Sequence, residues 1–405
     1  MAPQGAIFVS PPHNNSMNRN LWLLTFCQGL FLTNNVAFIA INGLVGLSLA
    51  PRGWMATLPV MAYVVGGALS TGLVARTQRR FGRRRSFQIG LMVALVAALL
   101  CAQAAVLKEF WLLCLATVVA GYYNANANLY RFAAAELAAP DWREKAVSLV
   151  MAGGLIGAVV GPNLAAVTRN WFEVPFAGAY IALAVVALVS MAMMQFIDFP
   201  APPTKSTIAG GRPLAEIARQ PAFIVAAVAG SLGFGVMNLL MAATPIAMQV
   251  CSLPFEDVAF VLEWHVIGMF APGFFTGHLI RRIGVLPVMG TGLLLNLACV
   301  AVALSGVDLQ QFVIALFLLG IGWNFLFTGA TTLSLTTFTG EEKDRVQGAL
   351  NFCMFATLAL TSFASGVLVT TQGWRLLNFG SLVPLALTGI ALVWLARRRS
   401  SAAIA

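Results

Sequence analysis

The sequence predicts an all-α membrane protein: twelve transmembrane helices in two pseudo-symmetric six-helix halves. Three observations predict it. The 405 residues are 59% hydrophobic and only 9% charged, with a mean hydropathy of +0.85, whereas a soluble chain carries about 25% charged residues because its surface must meet water. Twelve spans of about 20 residues would use nearly all of that hydrophobic content. Apolar runs of span length also recur from one end of the chain to the other, separated by short segments rich in arginine. A soluble globular enzyme is excluded.

In order, the hydropathy breaks place spans near 20–48, 54–76, 86–107, 110–135, 145–168, 175–197, 221–248, 257–280, 285–305, 309–336, 346–370 and 374–396. With the N-terminus placed in the cytoplasm, 20 of the 24 Lys and Arg fall on the cytoplasmic side. They include Arg19, the run Arg76 to Arg85 after the second span, Arg131, Arg143, Arg212, Arg281, Arg282 and Arg397 to Arg399. Arg52, Lys108, Arg169 and Arg375 fall on the other side. The excess of basic residues in cytoplasmic segments sets orientation, so both termini are expected in the cytoplasm.

The net charge of +10 does not indicate nucleic-acid binding, because the arginines sit in breaks between apolar runs and not on one exposed face. The first 20 residues are polar and hold neither an apolar signal core nor a cleavage site, so a removed signal peptide is not expected. Six scattered cysteines without a CxxC give no disulfide framework and no thiolate metal site. No phosphate-binding loop of the Walker type occurs, which argues against an ATP-driven pump within this chain.

A polar stretch, Asp198 to Gln220, rich in Pro, Gly and basic residues, divides the series. It reads as a cytoplasmic linker (198–220) between an N-terminal half (1–197) and a C-terminal half (221–405). The halves echo each other: Ala75-Arg-Thr-Gln-Arg-Arg-Phe-Gly82 follows the second span and Gly277-His-Leu-Ile-Arg-Arg-Ile-Gly284 the eighth. On these residues the chain resembles the major facilitator transporters, built from two such halves. Gly82, Arg83 and Arg84 match the end of that family's signature between the second and third spans. Ala75 stands where its first Gly belongs, and Arg79 where its Asp belongs. Gly153, Gly157, Gly161 and Pro162 in the fifth span are similar to the glycine–proline motif of antiporters, although close helix packing through small residues with a Pro bend is the stronger reading of such residues in a membrane helix.

The spans offer few acids, bases or nucleophiles, so an enzyme is not expected. They do offer soft ligands. Met237 and Met241 in the seventh span, and His265 and Met269 in the eighth, are each four residues apart and so share a helix face. Thioether and imidazole suit Cu(I) and suit hard cations poorly, and neutral ligands bind weakly enough to release an ion. Methionine is also a common apolar filler, and a buried His can simply bond a neighbouring helix. Even so, an ionisable residue inside a span is a functional candidate by default.

The paired motifs M-x-x-x-M and H-x-x-x-M in consecutive spans resemble those of the CcoA-type copper importers, a bacterial branch of the same superfamily. That resemblance implies copper ligands at Met237, Met241, His265 and Met269, and import across the bacterial inner membrane by alternating access. It further implies a cytoplasmic copper acceptor serving assembly of cbb₃-type cytochrome c oxidase. Copper would be the transported substrate, membrane lipid the surroundings, and neither an organic cofactor nor nucleic acid is expected. Secondary candidates are Glu263, two residues before His265 and so on another face, and Tyr123 and Asn126 in a polar fourth-span run. The alternative is a drug or organic-solute antiporter, with the fourth-span aromatics and amides lining a wider pocket. A receptor-like protein without transport is a third class.

Overall fold

The computed structural model describes residues 18–139, 142–200, 211–339 and 341–404. The N-terminal tail with His13, and Lys205 with most of the Pro/Gly-rich part of the linker, lie outside the described residues. All regular structure among the described residues is helical, as expected where lipid offers the backbone no hydrogen bonds and each segment must satisfy its own. The first helix, α1 (Arg19–Leu49), is capped by the Asn18 carboxamide, which accepts from the Leu21 N–H at 2.9 Å. Its 31 residues rise about 46 Å, enough to cross a bilayer with some tilt. A short 3₁₀ turn, Gly53–Met55, leads into α2 (Leu58–Leu107).

Two expected spans merge in α2, joined at Gly82, whose backbone is non-helical at φ 75° and ψ 176°. The Thr77 and Ser86 hydroxyls lie 3.0 Å apart, whereas nine residues of continuous helix would separate them by about 13 Å. The chain therefore turns back on itself at Gly82. The second half repeats the device. Gly284, at the matching place in the sequence echo, has φ 92° and ψ 163°, and it separates α11 (Gly273–Ile283) from α12 (Val285–Ser305). Only glycine enters this region without strain.

Other expected spans are broken. The fourth is α3 (Phe110–Ala127) plus α4 (Tyr130–Leu137); at the break the Asn128 side chain donates to the Asn124 carbonyl at 2.8 Å, competing with the helix ladder. The fifth is α5 (Arg143–Ala152) plus α6 (Gly154–Thr168), followed by α7 (Ala177–Met194). The linker contributes one turn, α8 (Leu214–Ile217), before α9 (Pro221–Val250). The eighth is α10 (Phe255–Phe270) bent by 40° against α11. Pro272 at that bend has no N–H to continue the ladder. The bundle closes with α13 (Leu309–Ser334), α14 (Lys343–Thr371) and α15 (Gly373–Ile404). Nine helices among the described residues are long and apolar enough to cross a membrane, ten with the bent pair counted as one span. The merged α2 and the broken α3–α4 account for the difference from twelve.

The glycine–proline stretch is a packing surface. A Cβ on Gly153 would sit 2.3 Å from the Thr25 carbonyl oxygen, one on Gly157 2.6 Å from the Thr33 nitrogen, and one on Gly161 2.8 Å from the Thr33 carbonyl oxygen. The α5–α6 segment thus lies backbone to backbone on α1. Membrane helices use such contacts because lipid leaves no hydrophobic drive between them.

Candidate functional site

Helices α1 to α7 pack chiefly on one another, as do α9 to α15, and the two sets meet along α1–α9, α6–α10 and α2–α14. At one end of the bundle lie the arginine clusters. Arg83 Nε donates to Glu136 Oε2 at 3.0 Å, Arg84 pairs with Asp198, and Arg212 pairs with Glu342 at 2.8 Å. Each of these ion pairs stays within one set. At the opposite end the sets are tied together. Thr57 Oγ1 donates to the Ser362 carbonyl at 2.6 Å and Trp54 meets Phe363 edge-on. Asn163 Nδ2 donates to Glu263 Oε2 at 2.8 Å. Phe176 meets Phe255 edge-on, with the Arg169 guanidinium over both rings.

At the arginine-rich end a cavity of about 250 Å³ opens between α4 and α5 on one side and α9, α13 and α14 on the other. Polar groups along it include Arg131, Ser231, Thr331, Gln347 and Asn351. Phe327 forms part of its wall, and deeper along α13 Trp323 stacks on Phe327, 5.0 Å between centroids and 13° between planes. Phe234 of α9 packs edge-on against both rings, and Phe270 of α10 against Trp323. The Trp323 indole is 7% exposed, and its Nε1–H has no hydrogen-bond partner. Buried Trp normally bonds that N–H. The Ser231 hydroxyl, the Tyr123 hydroxyl and the Asn34 amide nitrogen are also buried and unbonded. Buried polar groups of this kind call for a partner.

A second cavity, about 480 Å³, lies at the opposite end among the termini of α1, α2, α9 and α10. Lys108, Arg169, Gln249, Phe176 and Phe255 line it.

Met237, Met241, His265 and Met269 are all buried, and the three methionines belong to one continuous apolar core. His265 and Met269 share the face of α10 pressed on α13. A Cβ on Gly320 would meet the His265 carbonyl oxygen at 2.4 Å, and Asn324 Nδ2 donates to the Met269 carbonyl at 2.7 Å. His265 Nδ1 lies 2.7 Å from the Leu316 carbonyl oxygen. A carbonyl only accepts, so Nδ1 carries the proton and Nε2 presents its lone pair. That lone pair is buried without a partner. Met237 and Met241 lie on α9 beyond Phe234, and α9 touches α10. No cluster of three or more His, Cys, Asp or Glu fit to hold a metal ion occurs among the described residues.

The secondary candidates separate. Glu263 leaves α10 toward Asn163 of α6, away from His265. Asn126 is a packing group: its Nδ2 donates to the Ser86 carbonyl at 2.8 Å and its Oδ1 accepts from Gln78 at 3.3 Å, joining α3 to α2. Tyr123 meets Phe31 edge-on. Missing from the sequence-based candidates are Trp323, Phe327, Phe234, Phe270 and Ser231. The one signal available for them was the i, i+4 aromatic pair Trp323 and Phe327.

Residues 21–284 and 255–404 match the Major Facilitator Superfamily. The chain belongs to this superfamily. It is 37% identical over 388 residues to the riboflavin transporter RfnT of Brucella anthropi, covering 95% of this chain and 98% of that protein. It is 26% identical over 408 residues to the uncharacterized MFS-type transporter YdeG of Bacillus subtilis, covering 95% and 94%. Its fold is similar to a bacterial homolog of the human lysosomal transporter Spinster in an inward-facing, unoccupied conformation, with a TM-score of 0.72, 14% identity and coverage of 96% and 98%. It is also similar to the human organic anion transporter MFSD10, with a TM-score of 0.68, 15% identity and coverage of 95% and 100%. As a major facilitator, the chain is a multi-pass secondary transporter.

Proposed function

We propose that this transporter carries a flat, heteroaromatic organic solute, with riboflavin or a close flavin as the candidate, across the bacterial inner membrane with both termini in the cytoplasm. The observation that carries the reading is the Phe327 ring in the cavity wall with Trp323 stacked on it and an unbonded indole N–H deeper along α13. A tricyclic ring with carbonyl and imine acceptors at its edge needs a stacking face and donors, and this site offers both. The full-length likeness to a riboflavin transporter supports the same class. The cavity between the halves at the arginine-rich end, with the halves tied to each other at the opposite end by Thr57–Ser362 and Asn163–Glu263, supports an inward-open state of an alternating-access cycle. Major facilitators are generally not enzymes, and no reaction chemistry is assigned.

The test is uptake of radiolabelled riboflavin by a riboflavin-auxotrophic host lacking its own importer. Expression should restore growth and uptake, and Trp323→Ala should lower both at equal protein level. Wild-type protein that adds no riboflavin uptake would remove the assignment.

A second reading, copper import, rests on one observation: the buried, unbonded Nε2 of His265, oriented by the Nδ1 bond to Leu316. Metal-binding His is commonly oriented through its other nitrogen in this way. Met237, Met241 and Met269 would be the companion ligands for Cu(I), with a cytoplasmic acceptor beyond and cytochrome c oxidase assembly as its use. Cellular accumulation of trace radiolabelled copper decides it. Uptake that depends on the protein and falls in His265→Ala, Met269→Ala supports copper; uptake unchanged by that double variant rules out the site.

A further inference from the structure

The two cavities lie at opposite ends of the bundle and share one property. Each contains positive charge, Lys108 and Arg169 in one and Arg131 in the other, and among the described residues neither lining includes a carboxylate. The guanidinium of Arg131 rests over the ring of Phe132, 4.9 Å from its centroid, and that of Arg169 over Phe176 and Phe255. A guanidinium over a ring uses its face, so its in-plane N–H groups stay available. For both residues Nε is buried without a hydrogen-bond partner. Three carboxylates elsewhere at the arginine-rich end are engaged: Glu136 by Arg83, Asp198 by Arg84 and Glu342 by Arg212.

Across the same cavity, Ser231 presents a hydroxyl that is 6% exposed and unbonded. Gln347 and Asn351 on α14 add amide groups to the lining. A desolvated cation beside unsatisfied polar groups is costly unless something answers it. Phe327 belongs to the wall of this space, and Trp323 stacks on it deeper along α13.

We infer that the solute carries an anionic group, a phosphate monoester or a carboxylate, on the chain attached to its ring, and that Arg131 receives it while Trp323 and Phe327 hold the ring. This rests on the flavin reading above and narrows it: the preferred ligand is the phosphorylated flavin, flavin mononucleotide, over neutral riboflavin. The positive charge of the second cavity gives an anion a favourable potential at the other end of the path as well.

The test uses the purified full-length protein in detergent and measures dissociation constants for riboflavin and flavin mononucleotide by quenching of flavin fluorescence. Wild type should bind flavin mononucleotide at least about ten-fold more tightly than riboflavin, the scale of one charge-assisted hydrogen bond. Arg131→Gln should weaken flavin mononucleotide far more than riboflavin, so that the preference disappears, and riboflavin binding that remains measurable reports that the variant is folded. Arg131→Lys should keep part of the preference. If Arg131→Gln does not fold, salt takes its place: rising ionic strength should weaken flavin mononucleotide and not riboflavin.

Riboflavin bound without any preference for the phosphate, or a preference that persists in Arg131→Gln or resists salt, overturns this inference and leaves the flavin reading intact. Flavin mononucleotide bound in an Arg131-dependent way without riboflavin binding upholds the inference and removes neutral riboflavin as the solute. Binding of neither overturns both.

Discussion

The indole of Trp323 lies nearly parallel to the ring of Phe327 one turn further along α13, with Phe234 and Phe270 closing on it edge-on. Phe327 is the member of the pair in the cavity wall, with Trp323 stacked behind it, and such a backed ring can accept a third flat ring. Trp323→Ala removes the ring that backs Phe327 and the unbonded N–H together, and riboflavin affinity should fall about ten-fold or more. Trp323→Phe keeps a ring but not the donor, so its loss should be smaller, on the scale of one neutral hydrogen bond at about 1 kcal/mol. Fluorescence titration of both variants checks the order. Equal affinities for wild type and Trp323→Ala would place the ring elsewhere.

Gly157 has no room for even a methyl group. A Cβ there would lie 2.6 Å from both the Leu32 Cβ and the Thr33 nitrogen, and 2.7 Å from the Gly29 carbonyl oxygen. Two of those neighbours are backbone of α1 and cannot rotate away. Gly157→Ala should therefore push α6 from α1 and destabilise the protein by about 1–3 kcal/mol, the usual scale of overpacking. Gly72→Ala, with nothing within 4 Å of the added Cβ, is the matched control. Thermal melting of the two purified variants should separate them, the first melting lower and the second close to wild type.

These contacts show which features the sequence made legible. Long apolar runs with arginine breaks mark membrane helices because composition alone decides that partition, and the echo ending at Gly82 and Gly284 marked two turns that share one glycine-only backbone conformation. The breaks at Asn128 and Pro272 were harder, because hydropathy averages over a kink. The aromatic cluster was not legible. Phe234, Phe270 and Trp323 come from three helices, and an aromatic residue in an apolar span looks like filler until the fold brings several together. His265 was visible because polar residues are rare in spans, yet its bond to the Leu316 carbonyl depends on how α10 crosses α13.

Glu342 ties the linker to the start of α14. Its carboxylate accepts from the Arg212 guanidinium at 2.8 and 2.9 Å, and from the backbone N–H groups of Arg212 and Thr339 at 2.7 and 3.0 Å. The Arg212 guanidinium, and then these backbone donors, hold the carboxyl well below the ordinary carboxylate range. A carboxyl whose pKa is lower in the folded state binds fewer protons there. The stabilisation is therefore complete above the unfolded value near 4.5 and is lost as pH falls below it. Wild type should hold its melting temperature from pH 7 to pH 5 at this site and lose stability in more acid solution. Glu342→Gln should melt lower at pH 7 and show a smaller decline on acidification. Parallel pH profiles for the two proteins would remove this carboxylate from the acid response.

The Asn163–Glu263 bond joins α6 to α10 at the end opposite the cavity, alongside Thr57–Ser362 and the Phe176–Phe255 contact. If the cycle alternates access, this end must open, and these groups must part. In a protein cleared of its six cysteines, Asn163→Cys and Glu263→Cys together should be joined by a short bifunctional thiol reagent when the cavity end is open. Joined protein should retain flavin binding from the cavity side but lose transport, because the cross-link holds the far end shut; a reagent cleavable by reductant should restore it. Each single-cysteine protein, treated identically, should transport normally. Efficient cross-linking with undiminished transport would mean that α6 and α10 do not separate in the cycle, and the opening would then have to occur between α2 and α14.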